Sequence, residues 1–295
     1  MNTLHRKRIN SDTVFTVLAY TIAIVLAMIW IYPLIFVVSA SFSSPESLLS
    51  GNVLLFPKEF NWDAYKYIFK DSGILTGYRN TIFYSVVGTV YNMLLTICAA
   101  YPLSRPDLKG RNFLTLMMTF TMFFGGGMIP TYLNLRDLGL LDTPWVMFVP
   151  AAISVTNFII MRNYFTHSVP RDLIEMANIE GATELQTLYK VVLPLSKPIL
   201  SVLSIYYMSG HWNAYFSAII YLSDEKLMPL QVFLRRILIM GGMEGMSSGS
   251  TMTDSLIYES LKYGIIVVST LPMLVGYLLV QKSFKKGIMM GSLKG

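Results

Sequence analysis

The chain has 295 residues, of which 54% are hydrophobic and only 14% are charged. Soluble domains carry about 25% charged residues, and here the shortfall is gathered into long charge-free windows, which argues against a soluble globular enzyme. The formal net charge of +6 needs no nucleic-acid partner, because it follows from the membrane topology worked out below.

Six windows lack Asp, Glu, Lys and Arg: Thr13 to Pro45, Asn80 to Ser104, Asn112 to Leu135, Thr143 to Met161, Pro198 to Ser223, and Tyr263 to Gln281. Each approaches or exceeds the ~20 residues a helix needs to cross the hydrocarbon layer. Backbone in lipid is satisfied only by helices or closed barrels, and unbroken windows of this length do not suit short alternating strands. The expected fold is therefore all-α, a polytopic membrane protein with six transmembrane helices.

The first window follows His5-Arg6-Lys7-Arg8. A signal peptide has an apolar region of about 7–15 residues, and this run is about twice that, so it reads as a retained first span at about 13–42. The outer loop after it, Glu46 to Arg79, carries Phe56, Phe60, Trp62, Tyr65, Tyr67 and Phe69. Such rings suit an interfacial belt or a lid that contacts a partner. Span two ends at Tyr101-Pro102-Leu103-Ser104-Arg105-Pro106, where its prolines stop the helix. It holds the single cysteine, Cys98, which has no internal disulfide partner and reads as a small packing residue. Span three contains Gly125-Gly126-Gly127 and Pro130. This is either a bend lining a cavity or close helix packing through small residues. The outer loop 224–262 contains a Met, Gly and Ser run from Met240 to Ser250, a flexible connector or an adaptable contact surface.

Lys and Arg set the orientation. With both termini inside, the inner segments hold fourteen basic and six acidic residues, and the outer segments nine and eleven. The balance is +8 inside and −2 outside, which favours cytoplasmic termini.

The inner segment from Arg162 to Lys197 is long for a connection without structure of its own. Pro170 suits a first helical position, and Asp172 and Glu175 suit the positive end of a helix. Leu173, Met176 and Ala177 share a face, and Gly181 suits a left-handed helix cap. Thr183-Glu184-Leu185-Gln186 has the form of a capping box. Leu185, Leu188, Tyr189 and Val192 form the apolar stripe of a second short helix, which Pro194 and Pro198 end.

This segment resembles the EAA loop of the integral-membrane permease subunits of binding-protein-dependent ABC importers. Glu175, Ala177, Gly181, Ala182, Leu193 and Pro194 match its pattern. Met176 stands where an alanine is usual, and Glu180 where aspartate is common. The likeness extends to Asn80-Thr81-Ile82 through Arg105, to Ile129-Pro130-Thr131-Tyr132 with Leu138-Gly139-Leu140-Leu141-Asp142-Thr143, and to the tail Gly287 to Gly295. These resemble the carbohydrate subgroup, especially maltose-type second permeases serving complex and acidic oligosaccharides such as alginate or rhamnogalacturonan fragments.

The resemblance implies one permease domain over 1–295, with a core at 80–281 and the EAA loop at 162–197. It implies a bacterial inner-membrane location, a paralogous permease subunit, two cytoplasmic ATPase subunits, an extracytoplasmic solute-binding protein and an oligosaccharide substrate. Glu175, Ala177, Glu180, Gly181, Ala182, Leu193 and Pro194 would couple to the ATPase. No Gly-Lys dipeptide occurs, so there is no P-loop. The chain is expected to bind no cofactor and to be no enzyme, with ATP and Mg held by the partner ATPases.

The fifth window is dense in Tyr206, Tyr207, Ser209, His211, Trp212, Asn213 and Tyr215. Rings stack on sugars and Asn or His bonds hydroxyls, although the same residues serve interfaces and interhelical bonds. Asn157, Tyr207, His211, Trp212, Asn213 and Tyr215 are the candidate substrate pathway. An ion-coupled transporter usually needs carboxylates within the membrane, and no window has one. A permease for a non-sugar solute and a non-transporting scaffold are the other readings.

Overall fold

The computed structural model describes residues 11–243 and 252–291. Among them there are helices and turns and no strand, as a backbone in hydrocarbon requires. Among the described residues three helices are long and apolar enough to cross a membrane: Val14–Ser41, Ser72–Ser104 and Tyr258–Leu278. Two bent pairs raise this to five if each is one span: Arg111–Phe123 with Met128–Asp137, bent by 111°, and Glu184–Leu195 with Lys197–Trp212, bent by 83°. The basic residues 5–8, the run 244–250 and the last four residues of the tail lie outside the described residues.

Two compact units divide the chain, one from 1–70 with 237–268 and the other from 71–236 with 269–295. In the first, α1 (Ser11–Ser41) leads to the short α2 (Pro45–Leu49) and α3 (Asp63–Lys70). No part of α1's apolar window is buried, which suits a helix whose whole surface meets lipid. The expected belt of aromatics folds in part onto itself. Phe42 stacks on Phe60 and Tyr65 with ring centroids 5.5 and 4.9 Å apart, and Trp62 meets it edge-on. Phe56 and Phe69 remain exposed. Glu59 accepts hydrogen bonds from the Ser44 and Ser47 hydroxyls, which hold its carboxyl below the usual range.

The second unit is built on α4 (Ser72–Ser104). Asp71 caps it by accepting the Ile74 N–H at 2.9 Å, so the helix starts well before the charge-free window. It runs through Pro102 and ends at Ser104, within the stretch expected to close it. Its C-cap is Arg105, which precedes Pro106 and is held extended as residues before proline are. The buried stripe of α4 contains Gly77, Thr81, Ser85, Gly88, Asn92, Thr96 and Ala100, whereas Ile82, Phe83, Val86, Val90 and Leu94 are exposed. Small and polar side chains face the protein because apolar ones have nothing to gain by leaving lipid. Thr81 and Asn80 also fasten the segment before residue 231. Thr81 accepts the Leu230 N–H at 2.8 Å, and Asn80 donates to the Lys226 and Met228 carbonyls.

Helices α5 (Arg111–Phe123) and α6 (Met128–Asp137) flank the glycine run. Gly125 and Gly127 have nothing within 4 Å of a built Cβ position, so the run is a sharp bend and not close packing within this chain. The window Thr143 to Met161 does not form one helix. It holds a 3-10 turn at Pro144–Met147 and then α7 (Val155–His167), which Ser154 caps by accepting the Asn157 N–H. Pro150 interrupts the stretch between them by lacking a donor.

The knob comprises α8 (Arg171–Ile179), α9 (Glu184–Thr187), a π turn at Leu188–Val192 and α10 (Leu193–Leu195). The chain then bends at Ser196 into α11 (Lys197–Trp212). The fifth window is likewise divided, because α11 ends at Trp212 and α12 covers Phe216–Tyr221. The described residues of the segment 224–262 are largely helical and not a simple connector: a 3-10 turn at Glu225–Leu227 precedes α13 (Leu230–Met243), and α14 begins at Met252 and runs to Gly291.

Candidate functional site

The knob is a corner whose two arms are locked by local hydrogen bonds. At the end of α8, Gly181 adopts φ +79°. Its N–H donates to the Asn178 carbonyl at 3.0 Å, and the Ala182 N–H donates to the Ala177 carbonyl at 2.9 Å. This is the paired Schellman cap, which needs a left-handed residue at the position of Gly181. One residue on, Thr183 and Gln186 close the expected capping box: the Gln186 N–H donates to Thr183 Oγ1 at 3.3 Å and the Thr183 N–H to Gln186 Oε1 at 2.9 Å. The cap ending one helix thus abuts the cap starting the next, and few torsions between them stay free.

Side-chain placement on the knob differs from the sequence expectation. Pro170 is the N-cap of α8 and not its first helical residue. The buried residue of α8 is Ile174, while Leu173 and Met176 are exposed and Ala177 is half-buried. In the second arm Val192 is buried and Leu188 half-buried, but Leu185 and Tyr189 face outward. Met176, Ile179, Leu185 and Tyr189 are 56, 86, 77 and 74% exposed. These four side chains form an exposed apolar rim around the corner. Glu175, Glu180, Gly181 and Pro194 are exposed with it, whereas Ala182 and Leu193 are half-buried. Glu175 also lines a small cavity of about 90 Å³ with Arg105, Asp107, Thr166 and Arg171.

The six candidate pathway residues do not share one site. Asn157, Tyr207 and His211 line a cavity of about 460 Å³ together with Asn92, Ser154, Tyr206 and Ser217. Trp212 and Asn213 line another, of about 430 Å³, with Gln231, Met273 and Tyr277. Tyr215 lines neither cavity and lies under the Arg235 guanidinium, 4.8 Å from its ring centroid. Helix geometry explains the division. Tyr207 and His211 are four residues apart on one face of α11, and each further residue turns the next side chain by about 100°.

Much of the polar capacity around the first cavity is already used. Asn92, fully buried, donates its amide to the Ala151 and Ala152 carbonyls at 2.7 Å each. Only its oxygen then faces His211 Nε2, at 2.6 Å, so that nitrogen carries the proton and donates. Thr96 gives its proton to the Asn92 carbonyl, so the Tyr207 hydroxyl donates to Thr96 Oγ1 at 2.7 Å and accepts the Ser154 N–H at 3.1 Å. Trp212 is buried, donating to the Ser269 carbonyl at 2.9 Å and meeting Tyr78 edge-on. Asn213 donates back to the Ser209 carbonyl. Asn92 and Tyr206 line the same cavity although they are not among the six candidates; Tyr206 stands in the dense run of the fifth window, and an asparagine inside a charge-free window is the signal for Asn92.

The sequence profile of the family described as "Binding-protein-dependent transport system inner membrane component" matches residues 72–281. The chain belongs to that family. It is 42% identical, over 96% of its own length and 99% of the relative's, to the polygalacturonan/rhamnogalacturonan transport system permease protein YtcP of Bacillus subtilis (strain 168). It is 40% identical to protein LplC of the same organism, over 90% of each chain. Its fold is similar to that of a chain in the crystal structure of a bacterial ABC transporter involved in the import of the acidic polysaccharide alginate, with a TM-score of 0.84, 35% identity, and 96 and 100% of the two chains covered. As a permease of this family the chain is an inner-membrane transport subunit and not an enzyme. Family membership also means that it works with a binding protein and with ATPase subunits.

Proposed function

We propose that this permease imports oligosaccharides, and in particular uronate-containing fragments, with the corner at Gly181 as its contact with a separate ATPase. The observation that carries the coupling reading is the back-to-back caps at Gly181 and Thr183, which set an exposed apolar rim at a fixed angle. Such a rim seats in a groove, and a stiff corner transmits force instead of absorbing it. Glu175, Ala177, Glu180, Gly181, Ala182, Leu193 and Pro194 belong to this contact. The substrate reading draws on the polar cavity lined by Ser154, Asn157 and Tyr206, whose hydroxyls and amide match sugar hydroxyls. The uronate class is supported by the names of a permease 42% identical and a transporter chain 35% identical to this one.

In the assembly we propose, one domain spanning 1–295 crosses the membrane six times, with both termini cytoplasmic. It pairs with a paralogous permease and two ATPase subunits, which hold ATP and Mg, and receives sugar from the binding protein.

Reconstitution tests this. The transporter assembled with its ATPases and binding protein should import labelled oligogalacturonides in proteoliposomes only when ATP is supplied, and the isolated permease should hydrolyse none. Uptake of neutral maltooligosaccharides in preference to oligogalacturonides would remove the uronate class. ATP hydrolysis by the isolated chain would remove the need for a partner.

A further inference from the structure

We infer that Tyr101 and Glu184 are the positioning residues that pass movement of the coupling corner into α4; this rests on the reading of the corner as the ATPase contact. The knob has few fastenings to the rest of its unit. Ile174 is the buried residue of α8, and the corner itself is exposed from Glu175 to Met176 and again from Asn178 to Gly181. Glu184 follows the capping threonine directly. The cap is completed by Thr183 and Gln186, so the Glu184 carboxylate is spared that task and turns elsewhere. It accepts the Tyr101 hydroxyl at 2.7 Å, and Arg105 Nη2 lies 3.4 Å from its other oxygen.

These contacts join segments 83 and 79 positions apart in sequence. The Arg105 pair contributes little, since the Glu184 side chain is 58% exposed and solvent screens such pairs. The Tyr101 contact is different. It is a charge-assisted O–H···O bond, the short and strong kind, from a ring that is buried in the same apolar cluster as Ile174 and Val192. Tyr101 therefore belongs to the packing of both arms of the knob and also grips the start of the second arm.

Tyr101 lies in the last turn of α4. The same helix carries Asn92, about 13 Å away at 1.5 Å per residue, where it forms the wall of the polar cavity and holds His211. A pull on Glu184 reaches this wall along one continuous helix, and no loop intervenes to take up the strain. The geometry gives the corner a direct line to the α4 and α11 contact beside the cavity.

The test uses the intact transporter, purified with its ATPases in nanodiscs. Cys98 is the chain's sole cysteine; it is exposed and lies one turn before Tyr101. With other subunits made cysteine-free, it takes an environment-sensitive fluorophore, and the emission shift on trapping with ATP and vanadate is read. No sugar is needed. Wild type should give the full shift, and Glu184→Gln, which still accepts the hydroxyl but without the charge, a smaller one. Loss of a hydrogen bond to a charged group weakens such a link by about tenfold or more. Tyr101→Phe and Glu184→Ala should therefore lose most of the shift, while retaining their ATPases and hydrolysis. An undiminished shift in both variants overturns the inference, as does the absence of a wild-type shift or the loss of ATPases from Tyr101→Phe, which would mark a docking role. Should Glu184→Ala fail to insert, Tyr101→Phe decides, since it removes one oxygen. Retention of ATPases by Gly181→Pro would instead refute the coupling reading beneath it.

Discussion

Replacing Gly181 by alanine isolates the stiffness of the corner from every contact it makes. A Cβ at Gly181 meets nothing within 4 Å, so alanine brings no clash, and the only cost is its backbone angle of φ +79°. An L-residue in that region costs about 1–2 kcal/mol. The native chain cannot avoid it, because the two bonds from the N–H groups of Gly181 and Ala182 exist only with a left-handed residue there. Helix α8 has nine residues, fewer than the about 12–15 at which an isolated helix becomes marginal, so the strain frays its last turn. At 1–2 kcal/mol the equilibrium constant between the locked and the frayed corner falls by about 5- to 30-fold. Amide exchange at Ala182 should quicken by about that factor, and ATPase subunits titrated onto nanodisc-embedded permease should lose affinity by no more than it. Gly181→Asn should recover most of it, because asparagine tolerates the left-handed region. Gly181→Pro, whose φ is fixed near −65°, should abolish uptake while the protein still inserts. Amide exchange at Ala182 within about twofold of wild type in Gly181→Ala would refute the claim that this turn sets the angle of the rim.

Gly88→Ala places a methyl 2.6 Å from His211 Nε2; overpacking of this kind costs about 1–3 kcal/mol and should lower the thermal midpoint of the purified permease. The added substitution His211→Ala should restore part of it, and simple additivity of the two changes would argue against the contact. Trp212→Ala removes a buried ring and should cost about 3–5 kcal/mol, lowering stability as well as transport; an unchanged melting profile would return Trp212 to the pathway. Asp142 accepts the N–H groups of Ser223 and Asp224 at 2.8 and 2.9 Å, which hold its carboxyl below the ordinary range. A depressed folded pKa contributes stability above the unfolded value of about 3.9 and loses it as pH falls through the folded one. The stability gap between wild type and Asp142→Asn should thus be present at neutral pH and close in acid, and a gap independent of pH would show that charge plays no part.

The corner was legible in the sequence because its determinants are local. A glycine that accepts φ +79° and a Thr-x-x-Gln box lie within six residues of one another, and each acts on backbone groups beside it. The faces of α8 and the second arm were read less well. Ile174 is buried where Leu173 and Met176 were expected, an error of about one residue, or some 100° around a helix. Window length also gave no sign of where helices break. The ends at Ser154, Ser196 and Asn213 depend on caps and bends inside uncharged sequence.

Links across the unit were beyond reach for a different reason. In a soluble helix the apolar stripe marks the core, so periodicity points inward. In α4 it points to lipid, and the inward stripe is a row of residues as unremarkable as Gly77, Thr81, Ser85, Gly88 and Asn92. Their value appears only opposite a partner. Gly88 matters because His211 presses against it, and Asn92 because two carbonyls and an imidazole converge on it. Tyr101 continues this inward stripe at its inner end, and Glu184 meets it from 83 positions away. The stripe that packs α4 into the unit is therefore also the one that meets the knob, so whatever shifts Tyr101 shifts the packing of Gly88 and Asn92 against His211.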